Sequence, residues 1–205
     1  MRLYFLRHAI AIERGAWDGV DSERPLTDEG REQMYAAARG LAALGPRLDA
    51  IFTSPYTRAA DTARLASEAL GVGITVWPEL ASGCDLEGLA PRLAELGDAR
   101  EVMLVGHEPD FSAMIGRLIG GNNAPARIEL KKGACCRVDV PRKALLANDR
   151  RRLIGAGELR WLLTPAQLTR LAPVDPRSNR KAQTRADTPR RGTQGHPTTP
   201  GFQEP

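Results

Sequence analysis

The sequence is poor in cysteine and has no long apolar run, and both shortages exclude classes of protein. Two of its three cysteines, Cys135 and Cys136, are adjacent, so the chain offers no disulfide framework. That pattern fits a reducing compartment. No stretch approaches the length of a membrane span, about 18 apolar residues, and a strand-like segment follows Met1 without an apolar leader. We expect a cytoplasmic protein with no membrane partner.

Over most of the chain, neither positive nor negative charge is in clear excess. The formal net charge is +4, yet the segment from Val174 onward alone carries six Lys or Arg and three Asp or Glu residues. The rest is close to neutral, so the basic excess does not indicate a nucleic-acid partner. The same segment is rich in Pro, Thr, Arg and Gly. The sequence therefore predicts one domain over residues 1–172 and a disordered basic tail over residues 173–205.

Apolar strand patterns alternate with helical patterns before the chain turns to shorter strands. Such alternation is typical of domains in which helices cover both faces of a parallel sheet, and the continuous apolar run before His107 suits a central strand. We predict an α/β fold, a three-layer α/β/α sandwich with a mostly parallel central sheet and antiparallel edge strands. The predicted strands span 2–6, 49–54, 74–78, 101–107, 126–140 and 157–165, and the predicted helices span 25–45, 55–70, 85–96 and 109–119.

Capping residues mark two helix starts. Thr27 is a suitable N-cap for the first helix, with acidic residues in the turn that follows. Ser54 and Pro55 suit the N-cap and first helical positions of the second helix. Arg58 then lies in the first turn, and because helical side chains lean toward the N-terminus, it reaches toward the strand end. A surface ion pair of Arg58 with Asp61 is the alternative.

Histidine is scarce as well, and two of the three histidines directly follow apolar strands. His8 and His107 stand at strand ends, whereas His196 falls in the predicted tail. Ligands of open α/β sheets bind outside the carboxyl ends of the strands, so we expect both side chains in one crevice. Arg7 can serve that site only if the strand ends near Leu6, because consecutive strand residues face opposite sides. Each residue alone also fits a structural role, but together with the arginine of the second helix they predict one cationic pocket.

A pocket of arginines and histidines suits a phosphoryl group. Arginine binds phosphate oxygens with two parallel N–H groups and stays charged, and it stabilises the charge that develops during phosphoryl transfer. A neutral histidine can attack phosphorus and carry a covalent intermediate, and nearby positive charge favours the neutral form. The residues therefore indicate phosphoryl chemistry.

Four motifs in this order resemble the histidine phosphatase superfamily, whose fold is phosphoglycerate mutase-like. They are "LRHA" after the first strand, "SPYTRAADTA" after the second, "PEL" after the third and "VGH" after the fourth. The short "RPLTDEG" and "VGHEPDFS" are similar to the SixA-like phosphohistidine phosphatase branch. The resemblance covers about residues 1–165 and implies a hydrolase that needs no metal and no cofactor.

Carried over to this chain, the resemblance implies that His8 is the nucleophile that becomes phosphohistidine. Arg7, Arg58 and His107 are then the residues that bind the phosphate. Glu79, in "PEL", stands where larger relatives place the proton donor to the leaving group, and a surface carboxylate is the alternative interpretation. A phosphoramidate leaving group needs less help from an acid, so Glu79 is dispensable for such a substrate.

The chain departs from the family pattern at Ala9, where a glycine is usual. Glycine is required only for positive φ or close backbone approach, so Ala9 puts a tight backbone contact to phosphate in doubt. The segment after Glu79 is short, which leaves the site open and favours a phosphate carried on a protein.

Three functions are expected from these residues and this resemblance. The favoured one is a protein phosphohistidine phosphatase, followed by a phosphatase of a small metabolite such as a sugar phosphate or nucleotide, and then by a phosphate-binding module without turnover. The partner is accordingly a phosphorylated protein or a small phosphorylated molecule, and a monomer is expected. The Cys135–Cys136 pair is interpreted as ordinary packing, with a thiol nucleophile as the alternative.

Overall fold

A computed structural model of the chain describes residues 1–121, 125–147 and 150–173. The basic tail, which the sequence predicts to be disordered, lies outside the described residues from Val174 onward. In the described ranges no helix is both long and apolar enough to cross a membrane.

The centre of the molecule is a six-stranded mixed sheet with the strand order β3-β2-β4-β1-β5-β6. Strand β4 pairs in parallel with β1 and β2, and β2 pairs in parallel with β3. The last two strands are antiparallel, β5 to β1 and β6 to β5, as the sequence predicts. The strands are β1 (Arg2–Arg7), β2 (Ala50–Thr53), β3 (Ile74–Val76), β4 (Glu101–Gly106), β5 (Cys135–Asp139) and β6 (Glu158–Leu163).

Helices cover both faces of this sheet, and the alternation of side chains along β1 shows the two layers. Leu3 and Phe5 belong to one apolar core, and Tyr4 and Leu6 belong to the other. Because successive strand residues point to opposite faces, a strand that is buried throughout must be covered on both sides. The three-layer α/β/α prediction is confirmed. The helices are α1 (Asp28–Ala43), α2 (Thr57–Leu70), α3 (Leu86–Ala94), α4 (Asp110–Gly120), α5 (Arg142–Leu145) and α6 (Pro165–Leu171).

The two predicted helix starts have different outcomes. Thr27 caps α1 by accepting a hydrogen bond from the backbone N–H of Gly30 at 2.9 Å, as predicted. The prediction that α2 begins at Pro55 with Ser54 as N-cap is wrong, because α2 begins at Thr57 with Tyr56 as N-cap. The Ser54 hydroxyl oxygen instead accepts the N–H of Tyr56 at 3.2 Å, which forms a tight turn between strand and helix. Arg58 nevertheless remains in the first turn of α2.

The segment before β5 departs from its predicted strand. The strand expected from residue 126 begins only at Cys135, and the preceding residues cross the carboxyl end of β1, where Ala134 accepts a hydrogen bond from the Arg7 N–H at 3.1 Å. Cys135 and Cys136 are buried free cysteines that belong to the two different cores. Burial raises the pKa of both thiols, so packing, and not nucleophilic chemistry, accounts for the pair.

Candidate active site

Adjacent parallel strands bring two of the predicted residues to one edge of the sheet. Arg7 lies opposite Gly106 in the register of β1 and β4, so the residues that follow, His8 and His107, leave the sheet side by side. The His8 N–H donates to the Gly106 carbonyl oxygen at 3.0 Å. The two imidazole rings lie 5.4 Å apart between centroids. Strand β2, on the other side of β4, ends at the same edge and is followed by Ser54.

A cavity of about 250 Å³ lies at this edge and is lined by Arg7, His8, Arg58 and His107. The structure therefore brings together four of the five residues that the sequence singled out. Strand β1 includes Arg7, one residue beyond the expected end at Leu6, yet both Arg7 and His8 reach the cavity. The remaining charged residues of its lining are Glu13, Arg14, Arg24, Glu108 and Lys132, so positive charge dominates the cavity.

The nitrogen atoms of this cavity are incompletely hydrogen-bonded. Among the described residues, four buried side-chain nitrogens lack a hydrogen-bond partner, and three of them are Nε of Arg7, Nε of Arg58 and Nδ1 of His107. The fourth, Nε of Arg92, still lies within ion-pair distance of a carboxylate. Buried donors without partners are costly and uncommon in folded proteins. Their concentration at three residues of one cavity indicates a site built to receive a group rich in acceptor oxygens.

The ring of His8 is held in one tautomer by the backbone. Its Nδ1 lies 2.8 Å from the carbonyl oxygen of Ala9, and because a carbonyl only accepts, Nδ1 carries the proton and Nε2 keeps its lone pair. Burial, together with the nearby positive charges of Arg58 and Arg7, lowers the pKa of His8 to about 3. At neutral pH His8 is thus an uncharged imidazole with a free nucleophilic nitrogen.

Ala9 takes part in this arrangement through its backbone on both sides. Its carbonyl accepts from His8, and its N–H donates to the hydroxyl oxygen of Thr62 at 3.0 Å. No non-glycine residue in the described part of the chain has positive φ, so the conformation at Ala9 does not require glycine. The sequence put a backbone contact from this position to phosphate in doubt. In the structure the Ala9 N–H donates to a protein side chain instead.

His107 is oriented by a serine that the sequence analysis placed elsewhere. Nε2 of His107 lies 2.7 Å from the hydroxyl oxygen of Ser54. If Ser54 donates to Nε2, the proton of the neutral imidazole is on Nδ1, the nitrogen that has no partner, which is then a free donor for an anion. Burial and the positive charge of Arg58 lower the pKa of His107 to about 4.

Arg58 is buried and pairs with Asp21, not with Asp61. Its NH1 donates to the Asp21 carbonyl oxygen at 2.7 Å, and its NH2 donates to the Asp21 carboxylate at 3.1 Å. The alternative, a surface pair of Arg58 with Asp61, does not form, because the Asp61 carboxylate accepts from Arg64 at 2.5 Å and from Arg31 at 2.9 Å. Asp21 lies in a short 3₁₀ turn 37 residues before Arg58, and no local sequence signal connects the two.

Glu79 is the predicted site residue that the structure does not place with the others. It lies in a 3₁₀ turn after β3, the outermost strand, and it does not line the cavity. Its exposed carboxylate lies 3.2 Å from Nε of Arg92. This placement favours the interpretation of Glu79 as a surface carboxylate over its interpretation as a proton donor. Two carboxylates line the cavity: Glu13, which is exposed and accepts from Lys132 at 3.1 Å, and Glu108, directly after His107. The sequence includes Glu108 in "VGHEPDFS" but assigns it no role.

A larger depression of about 520 Å³, here called the side groove, adjoins the cavity and shares Arg7 and Lys132 with it. It runs between the loop before β5, the loop after β1 and the start of α6. Its other lining residues are Ile10, Gln33, Glu129, Lys131, Thr164, Pro165 and Ala166. Both apolar and charged side chains thus line the groove.

Comparisons with known proteins agree with this geometry. A family model described as "Histidine phosphatase superfamily (branch 1)" matches residues 3–92, which include the first three predicted motifs. An uncharacterized protein of Picosynechococcus sp. strain PCC 7002 is 31% identical over 166 residues, covering 80% of this chain and 99% of that protein.

Solved structures share the fold. The protein histidine phosphatase SixA complexed with tungstate superposes with a TM-score of 0.67 at 23% identity, covering 82% of this chain and 99% of SixA. A putative alpha-ribazole-5'-P phosphatase from Escherichia coli superposes with a TM-score of 0.55 at 22% identity, covering 82% and 98%. This chain belongs to the histidine phosphatase superfamily and is a phosphatase.

Proposed function

We propose that the protein hydrolyses phosphoryl groups through a covalent phosphohistidine on His8, and that its substrate is phosphohistidine on another protein. The observation that carries the mechanism is the set of unpartnered nitrogens of Arg7, Arg58 and His107 around a neutral imidazole. A tetrahedral phosphoryl group offers the oxygens that these donors lack. The same donors stabilise the equatorial oxygens as charge develops on them during transfer.

The first step transfers the phosphoryl group to the enzyme. Nε2 of His8 attacks phosphorus, the bond from phosphorus to the leaving atom breaks, and the leaving atom takes a proton. The hydrogen bond from Nδ1 to Ala9 holds the ring in place and stabilises the positive charge that the imidazole gains as its second nitrogen bonds to phosphorus. In the second step water attacks phosphorus, the bond to Nε2 breaks, and inorganic phosphate is released with His8 neutral again.

The shape of the site favours a phosphate that is carried on a protein. The cavity alone is large enough for a phosphoryl group, and the side groove continues from it past the shared residues Arg7 and Lys132. A groove lined by both apolar and charged side chains suits a polypeptide that carries the phosphorylated side chain. SixA, which has the same fold, is itself described as a protein histidine phosphatase.

Hydrolysis of a small phosphorylated metabolite is the second candidate. It is favoured by the superposition with the putative alpha-ribazole-5'-P phosphatase, which covers the same 82% of this chain as the superposition with SixA. The cavity itself accepts the phosphoryl group of a large or a small substrate.

The mechanism is tested by trapping the phosphoenzyme. The protein is mixed with a radiolabelled phosphate donor, quenched within milliseconds to seconds, and examined for protein-bound label. We expect label in the natural protein and in His196→Ala, and none in His8→Ala. Normal turnover or labelling in His8→Ala contradicts the mechanism.

The substrate class is tested by comparing kcat/KM for a phosphohistidine protein with kcat/KM for a panel of small phosphate esters. We expect the protein substrate to be preferred by at least about 100-fold, a difference of about 3 kcal/mol. Lys131→Glu, at the exposed side of the groove, should lower kcat/KM for the protein substrate and leave p-nitrophenyl phosphate unchanged. Lys143→Glu, an equal charge change on α5, is the control. Preference for a small ester, with no effect of Lys131→Glu, supports the second candidate.

A further inference from the structure

We propose that Glu108 is the proton donor to the leaving group and, in the second step, the base that accepts a proton from the attacking water. This inference rests on the proposed phosphohistidine mechanism and assigns the acid–base role within it. Glu79 does not serve as this proton donor, because its carboxylate lies outside the cavity lining and beside Arg92.

Glu108 has the position that a proton donor requires. It directly follows His107 and lines the same cavity as His8. Its carboxylate is fixed from one side by Ser112, whose N–H and hydroxyl donate to the two carboxylate oxygens at 3.2 Å and 2.5 Å. Each carboxylate oxygen has further lone-pair capacity. The group is thus anchored to the first turn of α4 and remains available to a molecule in the cavity.

The surroundings of Glu108 favour its protonated form. Burial raises the pKa of its carboxyl above the ordinary value and Asp110 adds to this, although the hydrogen bonds from Ser112 and the positive charge of Arg7 act in the opposite direction. A phosphoryl group in the cavity adds negative charge beside the carboxyl, which favours the neutral acid further. The other charged residues that line the cavity are Glu13, Arg14, Arg24, Arg58 and Lys132. A carboxyl that is shifted upward is suited to give and take protons near neutral pH.

The proton balance of the two steps is complete with this one residue. In the first step His8 Nε2 forms its bond to phosphorus, the bond to the leaving oxygen or nitrogen breaks, and that atom takes the Glu108 proton. In the second step the Glu108 carboxylate accepts a proton from water as the water oxygen bonds to phosphorus and the bond to Nε2 breaks. Phosphate leaves, and Glu108 is protonated as it was at the start.

A purely structural role for Glu108 is the alternative, because a carboxylate that accepts from Ser112 also caps the start of α4. The two roles differ in how they depend on the leaving group. An acid matters most when the leaving group is a poor one, such as an alkoxide, and little when it is p-nitrophenolate. A helix cap affects both substrates equally.

The experiment therefore compares Glu108→Gln with the natural protein on glycerol phosphate and on p-nitrophenyl phosphate. Glutamine can still accept from Ser112 but cannot donate the proton of a carboxylic acid. We expect kcat/KM for glycerol phosphate to fall by about 100-fold or more and kcat/KM for p-nitrophenyl phosphate to fall less than about 5-fold. With p-nitrophenyl phosphate, the phosphoenzyme of Glu108→Gln should accumulate, because no carboxylate accepts the proton of the water that hydrolyses it.

Two matched variants complete the test. Glu79→Gln should leave both substrates unaffected. Ser112→Ala removes the capping contact while keeping the carboxyl, and it should preserve the leaving-group dependence of the natural protein. Equal loss on both substrates in Glu108→Gln, matched by Ser112→Ala, overturns the proposal, as does no loss on glycerol phosphate. If Glu108→Gln does not fold, Glu108→Ala, which also lacks the carboxyl group, is compared in the same way. Absence of His8-dependent phosphoenzyme in the natural protein would instead contradict the underlying mechanism.

Discussion

The hydroxyl oxygen of Ser54 lies 2.7 Å from Nε2 of His107 and joins the ends of β2 and β4. Both residues are buried, Ser54 completely so. The contact leaves Nδ1 of His107 as the ring nitrogen that faces no protein acceptor or donor. Because the tautomer of a histidine is set by the partner of its other nitrogen, Ser54 decides which hydrogen bond His107 can offer to a phosphoryl oxygen.

Replacement of Ser54 by alanine should impair catalysis more than folding. Without the hydroxyl, Nε2 of His107 loses its partner and the ring is free to rotate or change tautomer. We expect kcat/KM to fall on the order of 10-fold to 100-fold, about 1.5 to 3 kcal/mol. Ser82→Ala, at an exposed serine of the same cavity, is the control and should differ little from the natural protein. Natural kcat/KM in Ser54→Ala would show that the contact has no catalytic role.

Thr62 should be required for the position of His8 although it lies outside the cavity lining. Its hydroxyl accepts from the Ala9 N–H at 3.0 Å and donates to the Arg58 carbonyl at 2.6 Å. Thr62→Val leaves the buried Ala9 N–H without a partner and removes the second donor to the Arg58 carbonyl, which lies within α2, so we expect a loss of about 1–3 kcal/mol in the free energy of unfolding. Single-turnover measurements should also show slower labelling of His8. Thr62→Ser keeps the hydroxyl, and a similar loss in that variant would argue against the hydrogen bonds as the cause.

Asp21 should weaken the binding of phosphate by competing for Arg58. Its carboxylate and carbonyl engage both terminal nitrogens of that arginine. In Asp21→Asn the opposing negative charge is gone, so we expect inorganic phosphate to inhibit at about 3-fold to 10-fold lower concentration. Competitive inhibition constants measured at constant ionic strength are the readout. Weaker inhibition would mean that Asp21 mainly orients Arg58.

The two active-site histidines should make the protein less stable in mild acid. Burial lowers the pKa of His8 to about 3 and that of His107 to about 4, whereas an unfolded histidine titrates near about 6.5. Between these values the unfolded state binds more protons, so the free energy of unfolding decreases as pH falls, by up to about 1.4 kcal/mol per pH unit for each histidine.

Urea unfolding between neutral pH and the pKa of His107 measures this effect. The double variant His8→Gln, His107→Gln should show a shallower dependence of the free energy of unfolding on pH, and His196→Gln should match the natural protein. Parallel curves for all three proteins would place the acid sensitivity in other groups.

Gly40 should be required for the contact between α1 and α6. A Cβ atom at this position would lie 1.7 Å from the carbonyl oxygen of Leu168, an impossible distance, so the helices must move apart in Gly40→Ala. We expect a destabilisation of about 1–3 kcal/mol, measured by urea unfolding. Gly73→Ala is the control, because a Cβ there meets no atom within 4 Å. Equal stability of the two variants would contradict close packing at Gly40.

The sequence predicts most of the fold because the signals for it are local. The apolar run of β4, the capping residue of α1 and the alternation of strand and helix each occupy a few neighbouring residues. Parallel strands present their carboxyl ends at one edge, so residues that follow different strands could be assigned to one cavity without coordinates. On that ground the sequence predicts that His8 and His107 lie together.

The contacts that set the chemistry of these side chains could not be predicted in the same way. The pair of Arg58 with Asp21 joins residues far apart in sequence, and a nearby acid, Asp61, was the obvious local choice. The start of α2 was misassigned because the Ser54 hydroxyl has a tertiary partner in His107, which outweighs the local capping preference.

The sequence by itself determined the order of the six strands and of the first four helices, and it indicated candidate phosphate-binding residues and the chemistry that they suit. Helices α5 and α6 lie where the sequence predicts no helix. Only the tertiary structure decided which nitrogen of each histidine is free, which acid opposes Arg58 and which carboxylate, Glu108 and not Glu79, lies in the cavity. The physical reason is that periodicity and capping depend on neighbours along the chain, whereas tautomers, ion pairs and burial depend on atoms that folding brings from distant segments to within a few ångströms.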